Sequence, residues 1–433
     1  MAKLPKQKNA GSRLSGPVKG RISKKSSKHS GVSWPREQRS ENGLDTELNL
    51  PEIKKKPSKG DLKLILGALK KEASLLGIRK ALKYIPYFLK SEGLSKKLLK
   101  EVIRLWAEAG EKVRVVCLLC LIRIYTKLQD KERRQLVIKN LYNSFLEKCR
   151  ITKEETMSMI GFMRHSLIEL YKLDPQIAFK QAQTSCQQLS LTLRNARTHK
   201  NEETYKTVLN WQFANCLTLL SQLVISHDDD SPVKSLTHQV IQLNLGSLNL
   251  LSSPRYYPYY CHLIENLIGL SKSANLFIPI LPLILDYIEK TNLPSTSSRG
   301  DSGKTIEAKS YNLDLLNHVS LDEAHSLDYN IAVFDKLYEL LLSYLASQSH
   351  RIAFPELVLL PCVQLKKWLK KNTAQSAQKL KILLEKIKSD CEKIEEERKS
   401  VNFAFTNYTA VDAWEKRMRD SNKLALPKLV INN

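Results

Sequence analysis

The stretch RYYPYYCHLIENLIGLSKSANLFIPILPLILDYIEK, Arg255–Lys290, decides the fold. Within it Tyr260, Leu263, Ile264, Leu267 and Ile268 fall at i, i+3, i+4, i+7 and i+8, the apolar stripe of a helix. Pro258 suits the first turn, where a missing N–H has no partner to lose. Gly269 and Ser271 to Ala274 then loosen the chain. A second apolar helix follows, with Pro279 or Pro282 near its start, so the segment reads as a helix–turn–helix pair. The four tyrosines around the proline could have been a base-stacking surface or a catalytic cluster. The stripe assigns at least Tyr260 to packing and leaves Tyr256 and Tyr257 as the rings that can reach a partner.

The same spacing recurs along the chain, as at Phe334, Leu337, Leu341 and Leu345, or Leu380, Leu383, Ile387 and Cys391. It predicts helices over 61–76, 78–91, 95–109, 112–129, 131–149, 154–172, 174–196, 202–227, 233–250, 257–271, 278–290, 327–347, 354–371 and 375–399. Strand–helix alternation is missing, which argues against a parallel sheet. Glycine is scarce, 15 of 433 residues, and 42% of residues are hydrophobic. The expectation is an all-α protein, an α-solenoid of antiparallel helix pairs of the HEAT or armadillo sort, although no strict repeat is visible. The expected divisions are a disordered basic tail at 1–60, a helical-repeat body at 61–290, a flexible linker at 291–326, C-terminal solenoid helices at 327–400 and an extension at 401–433.

The net charge of +25 divides into +10 over residues 1–60, +13 over 61–400 and +2 over the last 33. Such an excess favours polyanions or acidic partners. The first 36 residues hold ten Lys or Arg and no acid, too little apolar area to offset chain entropy. Two basic clusters, Lys19, Arg21, Lys24, Lys25 and Lys28, then Lys54, Lys55, Lys56 and Lys59, suit an import receptor or RNA phosphates. The lysine-rich start has no apolar core segment and so is not a secretory signal. No apolar stretch approaches the ~20 residues of a bilayer span, so no membrane partner is expected.

Candidate chemical motifs dissolve on inspection. GDSGKT, Gly300–Thr305, has Ser298 where a phosphate-cradling loop needs glycine, and lacks the strand before it. HDDD, His227–Asp230, runs into Ser231-Pro232 and reads as a solvated helix end. Cys117 and Cys120 are surrounded by aliphatics, with no second ligand pair at zinc spacing, and read as buried thiols. The nine histidines form no H-x-x-x-H or H-E-x-x-H pair, and there is no G-x-S-x-G elbow. No enzyme, metal, cofactor or small-molecule substrate is expected. In KKWLKK, Lys366–Lys371, Trp368 is placed on the apolar face while the lysines face water or phosphate. Phe354 and Leu357 are expected in the core, and Pro361 is expected to kink or restart its helix.

Three segments carry a family resemblance. The aromatic-Pro entry with its Leu-rich helix, through Tyr257 and Pro258, continues into FIPILPL with Phe277, Ile278 and Pro279. YLASQSHRIAFPELVLLPCVQLKKWLKK, Tyr344–Lys371, contributes Phe354, Pro355, Glu356 and Leu357. IEEERKSVNF closes the pattern through Arg398, Val401 and Phe403. In this order the segments resemble the nucleolar complex protein 2 family. That resemblance implies a helical scaffold of ribosome biogenesis in the nucleolus and nucleus, with no catalysis. It implies a heterodimer with nucleolar complex protein 1 or 3, and a role on pre-60S particles and their pre-rRNA during maturation and intranuclear transport. The family's long charged extensions are largely missing, which implies a short or divergent member. A HEAT-type nuclear adaptor for transport or chromatin, carrying protein cargo without RNA, stays open as the other reading.

Overall fold

The computed structural model describes residues 57–71, 75–250, 253–291, 310–372 and 376–432, all within one unit, Leu50–Asn433. The helices are α1 (Lys59–Lys71), α2 (Leu75–Phe88), α3 (Glu92–Glu108), α4 (Glu111–Lys127), α5 (Lys131–Lys148), α6 (Glu154–Lys172), α7 (Pro175–His199), α8 (Glu202–Val208) and α9 (Trp211–Ser226). They continue with α10 (Thr237–Leu248), α11 (Tyr257–Ser273), α12 (Leu281–Lys290), α13 (Leu321–Ala324), α14 (Leu327–Gln348), α15 (Phe354–Lys371), α16 (Ser376–Lys399), α17 (Tyr408–Asp420) and α18 (Ala425–Asn432). No strand occurs among the described residues. The principal packing partners are near neighbours in the chain: α2 on α4, α3 on α5, α9 on α11, α11 on α14, α12 on α15. This local stacking makes the fold an α-solenoid, with one continuous apolar core running through the helix pairs.

Polar caps set several helix starts. Asp130, Asp174 and Asn201 each accept a hydrogen bond from a backbone N–H in the first turn that follows. Asn210 does the same for Phe213 N–H at 2.9 Å, and there the expected helix over 202–227 is cut into α8 and α9. The carbonyls freed by that cut are not left bare. Tyr259 donates to Val208 O at 3.0 Å and Asn317 donates to Leu209 O at 3.0 Å. Contrary to the expectation that no stretch approaches a bilayer span, Glu202–Ser226 contains an 18-residue window long and apolar enough by composition, yet 67% of that window is buried against neighbouring helices, as in a core helix.

Two expected boundaries change. Of the expected linker, residues 310–326 are packed: Leu313, Val319 and Ala324 are buried, and Arg255 exchanges hydrogen bonds with Val319 through its Nε (2.7 Å) and its carbonyl (3.1 Å). A capping box between Ser320 and Glu323 starts α13. The expected extension at 401–433 contains α17 and α18, and Trp414, Met418 and Leu426 on these helices and Leu424 between them are buried. Buried Asp390 of α16 accepts from the N–H groups of Ala425 (2.6 Å) and Leu426 (2.9 Å), so α18 is capped from another helix. GDSGKT and the basic tail through Lys56 lie outside the described residues.

Candidate partner-binding groove

The residues of the resemblance fall into two sets. Tyr257, Pro258, Ile278 and Phe354 are buried in the core. Tyr257 is only 2% exposed, its ring 5.2 Å from that of Tyr287, so it does not reach a partner as its position before the proline suggested. Tyr260 stacks on the same Tyr287 ring at 5.4 Å. Tyr256 is half-buried beside His318, with the Arg255 guanidinium over its face.

Phe277, Pro279, Glu356 and Leu357 form the second set, and they line one groove of about 1090 Å³ between α12 and α15. Residues 276–280 lie outside any helix or strand, and from Phe277 to Ile280 exposed and buried side chains alternate. Ile278 and Ile280 point into the core, and Leu276 and Phe277 are exposed, the latter by 52%. The segment is fixed by Tyr344, which donates to Ile278 O at 2.6 Å, and by Ser271, which donates to Leu276 O at 2.7 Å. A preceding left-handed residue, Asn275 (φ 49°), turns the chain out of α11.

On the other wall, α15 buries Phe354, Val358, Leu365 and Trp368, with the Trp368 ring stacked 5.2 Å from Phe334. Lys366 and Lys367 are exposed, as the pattern predicted. Leu359 (65% exposed) and Leu360 (72%) lie off the buried stripe, and Leu360 faces the groove. The helix runs through Pro361 without breaking, so it does not restart there. The ring deprives the Leu357 carbonyl of its N–H partner, and the loss occurs beside the groove, where that carbonyl can be solvated.

Charge is divided along the rims. Glu356 binds Arg398 at 2.7 Å; burial alone would push its carboxyl up, but the guanidinium and a backbone N–H hold it below its ordinary value. Asp286 binds Lys290 at 2.7 Å. Lys367, Lys370 and Lys371 have no carboxylate among the described residues within 4 Å. An apolar floor with an uncompensated basic rim suits an amphipathic helix with acidic residues on one flank.

Elsewhere, no group of three or more His, Cys, Asp or Glu among the described residues could hold a metal. Burial pushes the Cys117 and Cys120 thiols up to about 12, as inert core thiols. His227 is buried, its Nδ1 2.8 Å from Leu223 O, while Asp228 to Asp230 are exposed; only the acidic half of HDDD is a solvated end. Of the predicted basic-cluster residues, Lys59 alone is described, exposed at the start of α1. Sequence reasoning missed Leu360, Tyr344, Lys370 and Lys371 as groove residues. The signal for Leu360 was its place off the 354/358/365 stripe.

The model of the Noc2p family matches residues 132–432. The chain is similar to Nucleolar complex protein 2 of Drosophila melanogaster, 32% identical over 75% of this chain and 42% of the relative. It is also similar to Protein REBELOTE (28% identical, 74% of this chain, 52% of the relative) and Nucleolar complex-associated protein 2 (26%, 72% and 40%), both of Arabidopsis thaliana. The chain thus spans about half the length of the curated relatives it matches. With the family model covering both helix pairs that build the groove, the chain belongs to the Noc2p family.

Proposed function

We propose that this protein is a non-catalytic scaffold of large (60S) ribosomal subunit assembly, acting in the nucleolus as a heterodimer with a nucleolar complex protein 1 or 3 type partner. The groove between α12 and α15 carries the reading: family-signature residues that serve no core purpose, Phe277 and Pro279, stand exposed beside Leu360 and three unpaired lysines. A partner helix with apolar anchors and an acidic flank would bury that floor and neutralise that rim. Nucleolar residence is supported by the family and by relatives named for nucleolar complexes. The basic clusters from Lys19 to Lys28 and from Lys54 to Lys59 supply the nuclear address and non-specific phosphate affinity. Support for maturation and intranuclear transport of pre-60S particles follows from the same placement.

Purification of the tagged protein from growing cells tests this reading. Large-subunit precursor RNA and a nucleolar complex partner should accompany it, and depletion should lower free large subunits relative to small ones. Recovery of import receptors or histones without precursor RNA would instead establish a nuclear adaptor for protein cargo.

A further inference from the structure

We infer that a second, cationic pocket binds a phosphate of an RNA backbone. The cavity, about 370 Å³, lies where the end of α11, the turn between α14 and α15, and the α17–α18 segment meet. Lys272, Asn275, His350, Arg351, Arg419 and Asn422 line it. Arg351 Nη2 donates to Asn275 O at 3.0 Å and to Asn275 Oδ1 at 3.4 Å, while Arg419 Nη2 reaches the same Oδ1 at 3.3 Å. One neutral oxygen therefore gathers two guanidinium groups that repel each other.

The expected countercharge is missing. No carboxylate among the described residues lies within 4 Å of Lys272, Arg351 or Arg419, and nearby Glu415 accepts instead from Ile352 N–H at 3.1 Å. Arg351 Nε is buried without a partner. Buried His350 lies with Nε2 2.6 Å from Arg419 Nη2, so its imidazole is neutral and accepts there. A buried donor without an acceptor costs free energy, and a guanidinium fork matches the oxygens of a phosphate. An anion from outside the chain satisfies both requirements.

An RNA backbone fits better than other phosphates. No Phe, Tyr or Trp lines the cavity, and the His350 imidazole is held edge-on by Arg419 Nη2 at 2.6 Å, so the site reads phosphate and not base. The surrounding chain, at +25, attracts a polyanion over its length. Because α17 provides Arg419 and the turn before α18 provides Asn422, the pocket exists only when the C-terminal helices are docked. This deepens the assembly reading and rests on it, since a large-subunit precursor is where the chain would meet such RNA.

Cross-linking of a 4-thiouridine single-stranded RNA to the full chain, followed by peptide mapping, tests the pocket. Adducts are expected on peptides containing residues 346–351 or 417–424, reduced at least fivefold in Lys272→Gln/Arg419→Gln with tail adducts unchanged. The slope of log affinity against log salt should fall by about 0.7, the contribution of one phosphate contact on a single strand. Should the double variant melt early, Lys272→Gln alone serves, because that side chain bonds only Ser343 Oγ, at 3.1 Å. Unchanged adducts and slope in both variants would overturn the proposal. So would a phosphoserine peptide, rather than RNA, raising the melting temperature of the wild type but not of the variant. Either failure leaves the assembly reading intact if the wild type still recovers precursors from cells; loss of that recovery would strike the assembly reading itself.

Discussion

Tyr257 and Tyr259 sit two residues apart in the first turns of α11, and only one hydroxyl has an acceptor. Tyr259 donates to Val208 O, whereas the Tyr257 oxygen is buried without a partner. Tyr259→Phe should therefore cost about 1 kcal/mol by urea unfolding, because it removes one buried hydrogen bond at the α8–α9 break and leaves Val208 O with only the Asn210 N–H at 2.9 Å. Tyr257→Phe should be neutral or stabilising by up to about 1 kcal/mol, because it removes only an unsatisfied group. His350 provides a pH test. Burial, Arg419 and Arg351 lower its pKa from 6.5 to about 4, so between those values the folded imidazole is neutral while the unfolded one is charged. The unfolded state then binds more protons, and stability should fall as pH drops from about 6.5 towards 4. His350→Asn should flatten that part of the profile; an unchanged slope would assign it to other groups. The charged groups facing His350 are Arg351, Arg419 and Lys272, with Glu415 committed to Ile352.

At the scale of elements, the helices with strong apolar period were legible because the core takes one stripe from each. Those missed have other determinants. The α8–α9 break depends on Asn210 as a cap and on Tyr259 and Asn317 arriving from far along the chain, which no local pattern contains. α18 is capped by Asp390, 35 residues earlier, so its start could not be read locally. Pro361 does not restart the helix because the period of α15 continues through it and the lost hydrogen bond falls on an accessible face. Asp390→Ala should cost about 1–3 kcal/mol and expose residues after 400 to limited proteolysis before the rest of the fold. Cleavage distributed evenly over the chain would show that this cap does not hold the last helix.

Across the folded unit, the two candidate sites differ in how the sequence encodes them. The signature motifs pointed to the right segments but could not separate the residues that pack, such as Phe354, from those that face the groove, such as Phe277. Separation needs the alternate burial of residues 277–280 and the rotation of α15, both fixed only once Tyr344 and Phe334 are in place. The cationic pocket was illegible, since Lys272, Arg351 and Arg419 come from three distant segments and belong to no motif. Net charge indicated a polyanion without indicating where it would bind.

The groove is tested most directly by Leu360→Glu, which alters a side chain 72% exposed and leaves the core untouched. Affinity of the purified variant for the nucleolar complex partner, measured beside its melting temperature, should fall at least tenfold while the melting temperature stays within about a degree of wild type, as expected of a surface change. Wild-type affinity in a normally folded Leu360→Glu variant would contradict the account.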